Sequence, residues 1–309
     1  MMGRGIHAGE VEFVPTESTM EPRRTGMARD WESIPRGSAD LRLVVTDMDG
    51  TLLDADGRVP ASFWPMLRTM RERGIVVVPA SGRQYATLLA MFGDRNPHGA
   101  YIAENGNLVV ADGRTVSVTG MDAADVVRMV TAVDDAFRSG LRDVAAVVCR
   151  PDCAYVSRGE PKVIREASRY YARLEVVPDL RNVDGPVIKV AVLDFDDAQE
   201  TAEGILGVFA GSHQVVASGR HWVDVMDHGA DKRRGVMALR DAMGIGAEQT
   251  AVFGDYLNDL EMLSAGYWSF AMANAHEDLV RAARFTAPSN ADNGVVRVLG
   301  RLLGVDVEH

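Results

Sequence analysis

The chain has 309 residues, 47% of them hydrophobic and 25% charged, with a formal net charge of -11 at pH 7. That apolar content can form a core for one large domain or two modest ones, which excludes wholesale disorder. The acidic balance excludes non-specific binding to nucleic acid or to an anionic membrane, which needs clustered Lys and Arg, but leaves open a small anionic substrate at a locally positive site.

Residues 1–38 mix Gly, Arg, Glu, Pro and Thr without a period and are expected to form a disordered N-terminal extension. Regular patterning then begins. "LRLVVTD" (41–47) is a short continuous apolar run, as in a strand covered on both faces. In "PASFWPMLRTMRERG", Phe63, Met66, Leu67 and Met70 follow helical spacing, with Ser62 placed to cap the start and Gly74 to close the end. "IVVVPAS" is a second buried strand ending at Ser81, and "QYATLLAMF" a short helix. Turns at Asn105-Gly106 and Asp112-Gly113 join strands across 101–118.

From about Met121 the pattern changes. Helices over 122–138, 160–172 and 196–209 alternate with strand pairs, which predicts an open antiparallel sheet covered by helices, a separate α+β unit. Cys149 and Cys153 in "CRPDC" read as two reduced thiols flanking a turn, since two thiols make neither a disulfide framework nor a zinc site. Near Asp227 the first pattern returns: "RRGVMALRDAMG" is helical, "TAVFG" a strand, "DLEMLSAG" the start of a helix and "YWSFAMA" a strand. No apolar run spans a bilayer and no cleavable leader is evident, so the cytoplasm is the expected compartment and no membrane partner is expected.

Three of the buried strands end in a polar residue, at Asp47, Ser81 and Asp255. In an open parallel α/β sheet, ligands bind beyond the carboxyl ends of the strands, where strand order reverses. Residues distant in sequence would therefore converge in one crevice. Asp47 and Asp255, with a main-chain carbonyl near Asp49, offer hard oxygen ligands suited to Mg²⁺. The Ser81 hydroxyl and nearby N–H groups can hold phosphate oxygens, and Lys232 can supply positive charge.

With these residues in place, the sequence resembles the haloacid dehalogenase (HAD) superfamily of phosphohydrolases, in particular Cof-type sugar phosphatases with a large C2-type cap inserted after the second motif. The matching segments are "DMDGTLL" (47–53), "ASGR" (80–83), "DKRRG" (231–235) and "GDYLNDLEML" (254–263), supported by "ENG" (104–106), "AMANA" (271–275) and "APSNADNGV" (287–295). The resemblance runs from about residue 41 to the C-terminus. It implies a Rossmann-like α/β core over 39–120 and 227–309 and an α/β cap over 121–226 that selects the substrate. It further implies Asp47 as nucleophile, Asp49 as general acid and base, and Lys232 as the third catalytic residue. Thr51, Ser81, Gly82, Arg83, Asn105 and Asn258 would bind phosphate or substrate, and Asp47, Asp49, Asp255 and Asp259 would serve Mg²⁺. Two departures stand out: Arg233 and Arg234 replace residues that are commonly small, and Tyr256 takes a slot often held by Gly.

The function so implied is a Mg²⁺-dependent phosphatase acting on a small phosphorylated metabolite, a sugar phosphate foremost, through an aspartyl-phosphate. A phosphomutase or phosphotransferase of the same superfamily is the alternative, and a phospho-receiver module is a more distant one. Lys189, in the apolar "VIKVAV", is expected to face outward or to serve the cap, and His221 and His228 to be structural. Which metabolite is bound and how many subunits assemble have no signature in the sequence.

Overall fold

The computed structural model describes residues 28–96 and 99–307. The first stretch holds β1 (Arg29–Asp30), β2 (Leu43–Asp47), α1 (Phe63–Glu72), β3 (Val76–Ala80), α2 (Tyr85–Phe92), β4 (Ala100–Ala103), β5 (Leu108–Ala111) and β6 (Arg114–Val118). Next come α3 (Ala123–Arg138), β7 (Val144–Cys149), β8 (Ala154–Val156), α4 (Pro161–Ala167), β9 (Leu174–Val176), β10 (Lys189–Asp194), α5 (Ala198–Gly204), β11 (His213–Gly219) and β12 (Trp222–Asp227). The chain ends with α6 (Lys232–Met243), β13 (Thr250–Gly254), β14 (Trp268–Met272), α7 (Glu277–Ala282), β15 (Phe285–Ala287) and α8 (Gly294–Leu303).

These strands form two sheets. The larger has nine strands in the order β1-β15-β14-β13-β2-β3-β4-β5-β6. All neighbours from β1 to β4 in that row are parallel, and β5 and β6 continue it as antiparallel hairpins. From β2 the chain builds outward through β3 and β4, and later on the opposite side through β13, β14 and β15. Strand order therefore reverses between β2 and β13, where an open α/β sheet places its ligand crevice. Register sets the level: Thr46 pairs with Phe253 and Asp47 with Ala80, so the residues that leave these strands emerge side by side.

The central strands β2, β3, β4 and β13 are buried along nearly their whole length because helices cover both faces. On one face α1 and α8 bury Val44, Val77, Phe253 and Phe270. On the other α6 and α7 bury Val45, Val78, Val252 and Ala271. The fold is thus the Rossmann-like α/β core that the sequence implied.

The second sheet, in the order β11-β12-β10-β7-β8-β9, is drawn wholly from residues between β6 and α6. Helices α3 and α5 cover one face, over Val148, Val190 and Val225. The other face, with Val147, Ala191 and Trp222, joins α4 and merges with the apolar cluster of the core. Its pairs are antiparallel except β8–β9, which is parallel, so the expectation of an all-antiparallel sheet is corrected at that edge.

Other local expectations also change. The helix read over 160–172 stops at Ala167, and the chain then turns so that Tyr171 packs edge-on against Trp222, ring centres 5.9 Å apart. The helix read over 196–209 stops at Gly204, and a single 3-10 turn, Gly207–Phe209, follows. Glycine at both positions weakens a continuous helix. Where "DLEMLSAG" was to start a helix, the chain forms two 3-10 turns, Leu257–Asp259 running into it and Met262–Ala265 within it, because the Asp259 carboxylate draws the N–H groups of Asp255 and Tyr256 into a tight loop. Ser62 does not cap α1; its hydroxyl donates to Asn293 Oδ1 at 3.2 Å. The disorder expected over 1–38 does not hold from Arg29 onward. Arg29 and Asp30 add to the free edge of β15, and Trp31 sits beneath the guanidinium groups of Arg297 and Arg301. Residues 1–27 of that expected extension lie outside the described residues. No helix among the described residues is long and apolar enough to cross a membrane.

The β4–β5 turn locks onto the start of α6. Gly106 there has φ +97, and a Cβ on it would run into the Asp231 carbonyl. Gly113, in the β5–β6 turn at φ +69, faces open space. Gly106→Ala should therefore cost about 2–4 kcal/mol against about 1 for Gly113→Ala, read by denaturant unfolding of both variants. Equal losses would contradict the close seating of this turn.

Candidate active site

Asp47 is the last residue of β2, and the backbone turns immediately through Met48–Leu52. Gly50 lets that turn close on the residue after β13, since a Cβ there would strike the Asp255 carboxylate. Thr51 Oγ1 donates to Asp255 Oδ1 at 3.0 Å and ties the two strand ends together. Asp255 and Tyr256 donate their N–H groups to Asp259 Oδ2 at 3.1 and 3.3 Å, so Asp259 turns its other oxygen inward. Helix α6 begins behind Asp231, whose carboxylate accepts the Arg234 N–H at 2.7 Å, and its first residue is Lys232. The Lys232 ammonium is fully buried and donates to Asp47 Oδ1 and, at 2.7 Å, to Asp259 Oδ1.

Asp47, Asp255 and Asp259 each bring one carboxylate oxygen to within 4.8 Å of the others. One lysine cannot balance three carboxylates, two of them buried and that of Asp255 partly so. Burial, then repulsion from Asp259, pushes the Asp47 carboxyl up to about 8 from 3.8, against the pull of Lys232. Burial also raises Asp255, while the Thr51 hydrogen bond lowers it. For Lys232 burial alone would lower the pKa, but Asp259 and Asp47 more than offset it and hold it raised. A cluster that must take up protons to balance its charge is suited to a divalent cation, and its donors are the hard oxygens that such an ion prefers. The residues present therefore fit the metal, and Asp47, Asp255 and Asp259 are the side chains able to hold it.

A second group closes the other side of the crevice. Ser81 is buried, and its Oγ accepts the Arg83 N–H at 3.2 Å. The Asn105 N–H donates to the Ser81 carbonyl at 3.0 Å, and the Asn105 amide lies against Gly82. Asn258 Nδ2 stands 3.5 Å from Asn105 Oδ1. Thus Ser81, Gly82, Arg83, Asn105 and Asn258 adjoin one another from three strand ends, and Thr51, from a fourth, contacts the acidic cluster directly.

The carboxylate cluster does not include Asp49, whose expected share in the metal site is a main-chain carbonyl. The Asp49 side chain points away to Arg83, whose Nε and Nη2 donate to it at 3.1 and 2.6 Å, a two-pronged pairing that suits a guanidinium. Arg233 and Arg234 also point elsewhere, to Ser264 Oγ and the Gly229 carbonyl, so they add no charge contact to the cluster. Tyr256 is 59% exposed, edge-on to His276. Cys149 and Cys153 are free buried thiols, and His221 bonds the Asp194 carbonyl.

Lys189 does not face outward. It is 3% exposed, and its Nζ lies 2.6 Å from Glu104 Oε2. A lysine within an apolar strand needs a buried partner, which was the available signal; the partner could not be read because it lies across the chain in "ENG". Sequence reasoning also passed over Asn274 and Asn290, whose amides hold the Gly50 and Leu53 carbonyls at 2.8 Å each and peg the loop after β2.

Residues 44–299 match the profile of the haloacid dehalogenase-like hydrolases. The 5-amino-6-(5-phospho-D-ribitylamino)uracil phosphatase YbjI of Escherichia coli (strain K12) is 32% identical over 266 residues, covering 85% of this chain and 96% of that protein. The phosphoglycolate phosphatase of Methanopyrus kandleri is 27% identical, over 84% of this chain and 97% of that one. A haloacid dehalogenase-like hydrolase from Bacteroides thetaiotaomicron superposes with a TM-score of 0.74 at 21% identity, over 85% of this chain and 99% of that one. With the profile spanning both halves of the core and the inserted sheet, the chain belongs to the haloacid dehalogenase-like hydrolases and is a phosphatase of that family.

Proposed function

We propose that the protein is a Mg²⁺-dependent phosphatase that hydrolyses a small phosphorylated polyol or sugar through an aspartyl-phosphate on Asp47. The observation that carries this reading is the convergence of the buried Asp47, Asp259 and Lys232 with the half-buried Asp255 at the strand-order switch. Asp47 would attack phosphorus while Asp49 gives a proton to the departing alkoxide. Asp49 would then take a proton from water as the water's oxygen attacks the phosphoenzyme, freeing inorganic phosphate and restoring Asp47. Asp49 suits this work better than Asp47, since its carboxylate is 62% exposed and hinged on Arg83 rather than locked in the cluster. Bound Mg²⁺ would neutralise charge between the carboxylates and the incoming phosphate. Ser81, Asn105, Thr51 and Lys232 would hold the phosphoryl oxygens, and Gly82 would admit them close to the backbone. The polyol preference draws support from YbjI, whose substrate name denotes a phosphorylated ribityl chain. The inserted second sheet would act as a cap that excludes water and selects the leaving group.

Phosphate release from ribose 5-phosphate, glucose 6-phosphate and p-nitrophenyl phosphate tests the reading. Activity should vanish with EDTA and return with Mg²⁺, and Asp47→Asn should lose at least about 10³-fold in kcat. Metal-independent turnover, or an Asp47→Asn protein of undiminished rate, would contradict it. Asp49→Asn should cost about 10²–10⁴-fold, measured in the same assay with a sugar ester.

Stability should report the same chemistry. The Asp47 pKa is raised in the fold, so its proton stabilises the cation-free protein at low pH, and that contribution is lost as pH rises from about 4 through 8. Mg²⁺ competes with that proton, so it should raise the melting temperature more at pH 8 than at pH 5. Equal shifts in calorimetry at the two pH values would count against the cluster as the ion's site.

A further inference from the structure

A second buried lysine joins the cap sheet to the rim of the site. Lys189, at the start of β10, places Nζ 2.6 Å from Glu104 Oε2 and 3.7 Å from Asp224 Oδ1 on β12, with the Tyr171 ring 5.5 Å away. Glu104 belongs to the core: it follows β4, is 1% exposed, and takes φ +50, a left-handed backbone that side chains other than Asn and Asp rarely adopt. No hydrogen-bond donor besides this close ammonium reaches its carboxylate among the described residues. The Glu104 N–H donates to the Arg83 carbonyl at 3.1 Å, and the next residue, Asn105, donates its N–H to Ser81. The turn that positions Ser81, Arg83 and Asn105 is therefore the same turn that presents Glu104 to the cap. Met226, two residues along β12 from Asp224 and so on the same strand face, touches the Asn105 amide through its sulfur at 3.8 Å.

We infer that Lys189 and Glu104 are positioning residues, an ion pair that registers the cap over the phosphate site and couples cap closure to the arrangement of the Ser81–Asn105 rim. Burying two charges is costly, and only a register in which they meet offsets that cost. With the cap displaced, water takes over both groups; with the cap seated, only one pose satisfies them. The closed state is thereby a single discrete arrangement. The inference rests on the site assignment proposed above.

The test is a double-mutant cycle of Lys189→Met, Glu104→Gln and the double variant, which removes both charges of the pair, leaves only the partly exposed Asp224 without its ammonium, and so covers the case in which a single variant fails to fold. Spin labels on Arg68→Cys in the core and Glu203→Cys in the cap report the distance between the two units, and both native cysteines are buried. The parent should give one narrow distance distribution, and the double variant a broadened or shifted one. Turnover of ribose 5-phosphate should fall about 10–100-fold in kcat, with p-nitrophenyl phosphate falling less than about threefold, and the double variant should lose no more than the worse single one. A double variant that keeps the parent's narrow distribution overturns the inference, as do equal losses on both esters with the distance unchanged. A cap that loosens in the variants while the parent releases phosphate from no ester supports the joint and overturns the site assignment instead.

Discussion

Three carboxylates and one ammonium sit where β2 and β13 leave the sheet, and their charges do not balance. Asp47 and Asp259 are buried with Lys232, Asp255 partly so, and the shortfall appears as a raised Asp47. Buried charge of this kind persists only if something compensates it. A proton can do so, but only by neutralising Asp47. A divalent cation would do so while leaving Asp47 ionised, and an incoming phosphate would then meet positive charge from the ion and from Lys232. The rest of the molecule holds this imbalance in place.

The parallel sheet brings the groups together. Because strand order reverses between β2 and β13, two strands far apart in sequence end side by side, and helix α6 enters from behind with Lys232. Small details set the spacing. Gly50 allows the loop to approach Asp255, Thr51 bridges to it, and Asp259 spends one oxygen on backbone N–H groups so that the other faces inward. Asn274 and Asn290 hold the loop carbonyls from outside. Preorganised groups of this kind need little rearrangement when charge develops during reaction.

Much of this was legible in the sequence because it rests on local signals. Continuous apolar runs ending in Asp47, Ser81 and Asp255 mark strands with chemistry at their exits, and Asn105-Gly106 marks the turn between β4 and β5. What escaped depends on partners distant along the chain. Lys189 read as a surface or cap residue because Glu104 lies 85 positions away in sequence. The pairing of the Asp49 side chain with Arg83 likewise has no local signature. Strand β1 is two residues long and takes its structure from the edge of β15. The helix read over 160–172 was shortened by the burial of Tyr171, a tertiary effect, and that over 196–209 by Gly204 and Gly207, a local signal that was passed over.

Proton release on Mg²⁺ binding tests the charge balance most directly. Calorimetric titration at pH 7, in buffers of different ionisation enthalpy, counts protons displaced per ion bound. The account predicts about one proton released per Mg²⁺, since a carboxyl raised to about 8 would hold a proton at pH 7 until the ion displaced it, and little release at pH 9. Binding without proton release at pH 7, or binding undiminished in an Asp255→Asn protein, would contradict it.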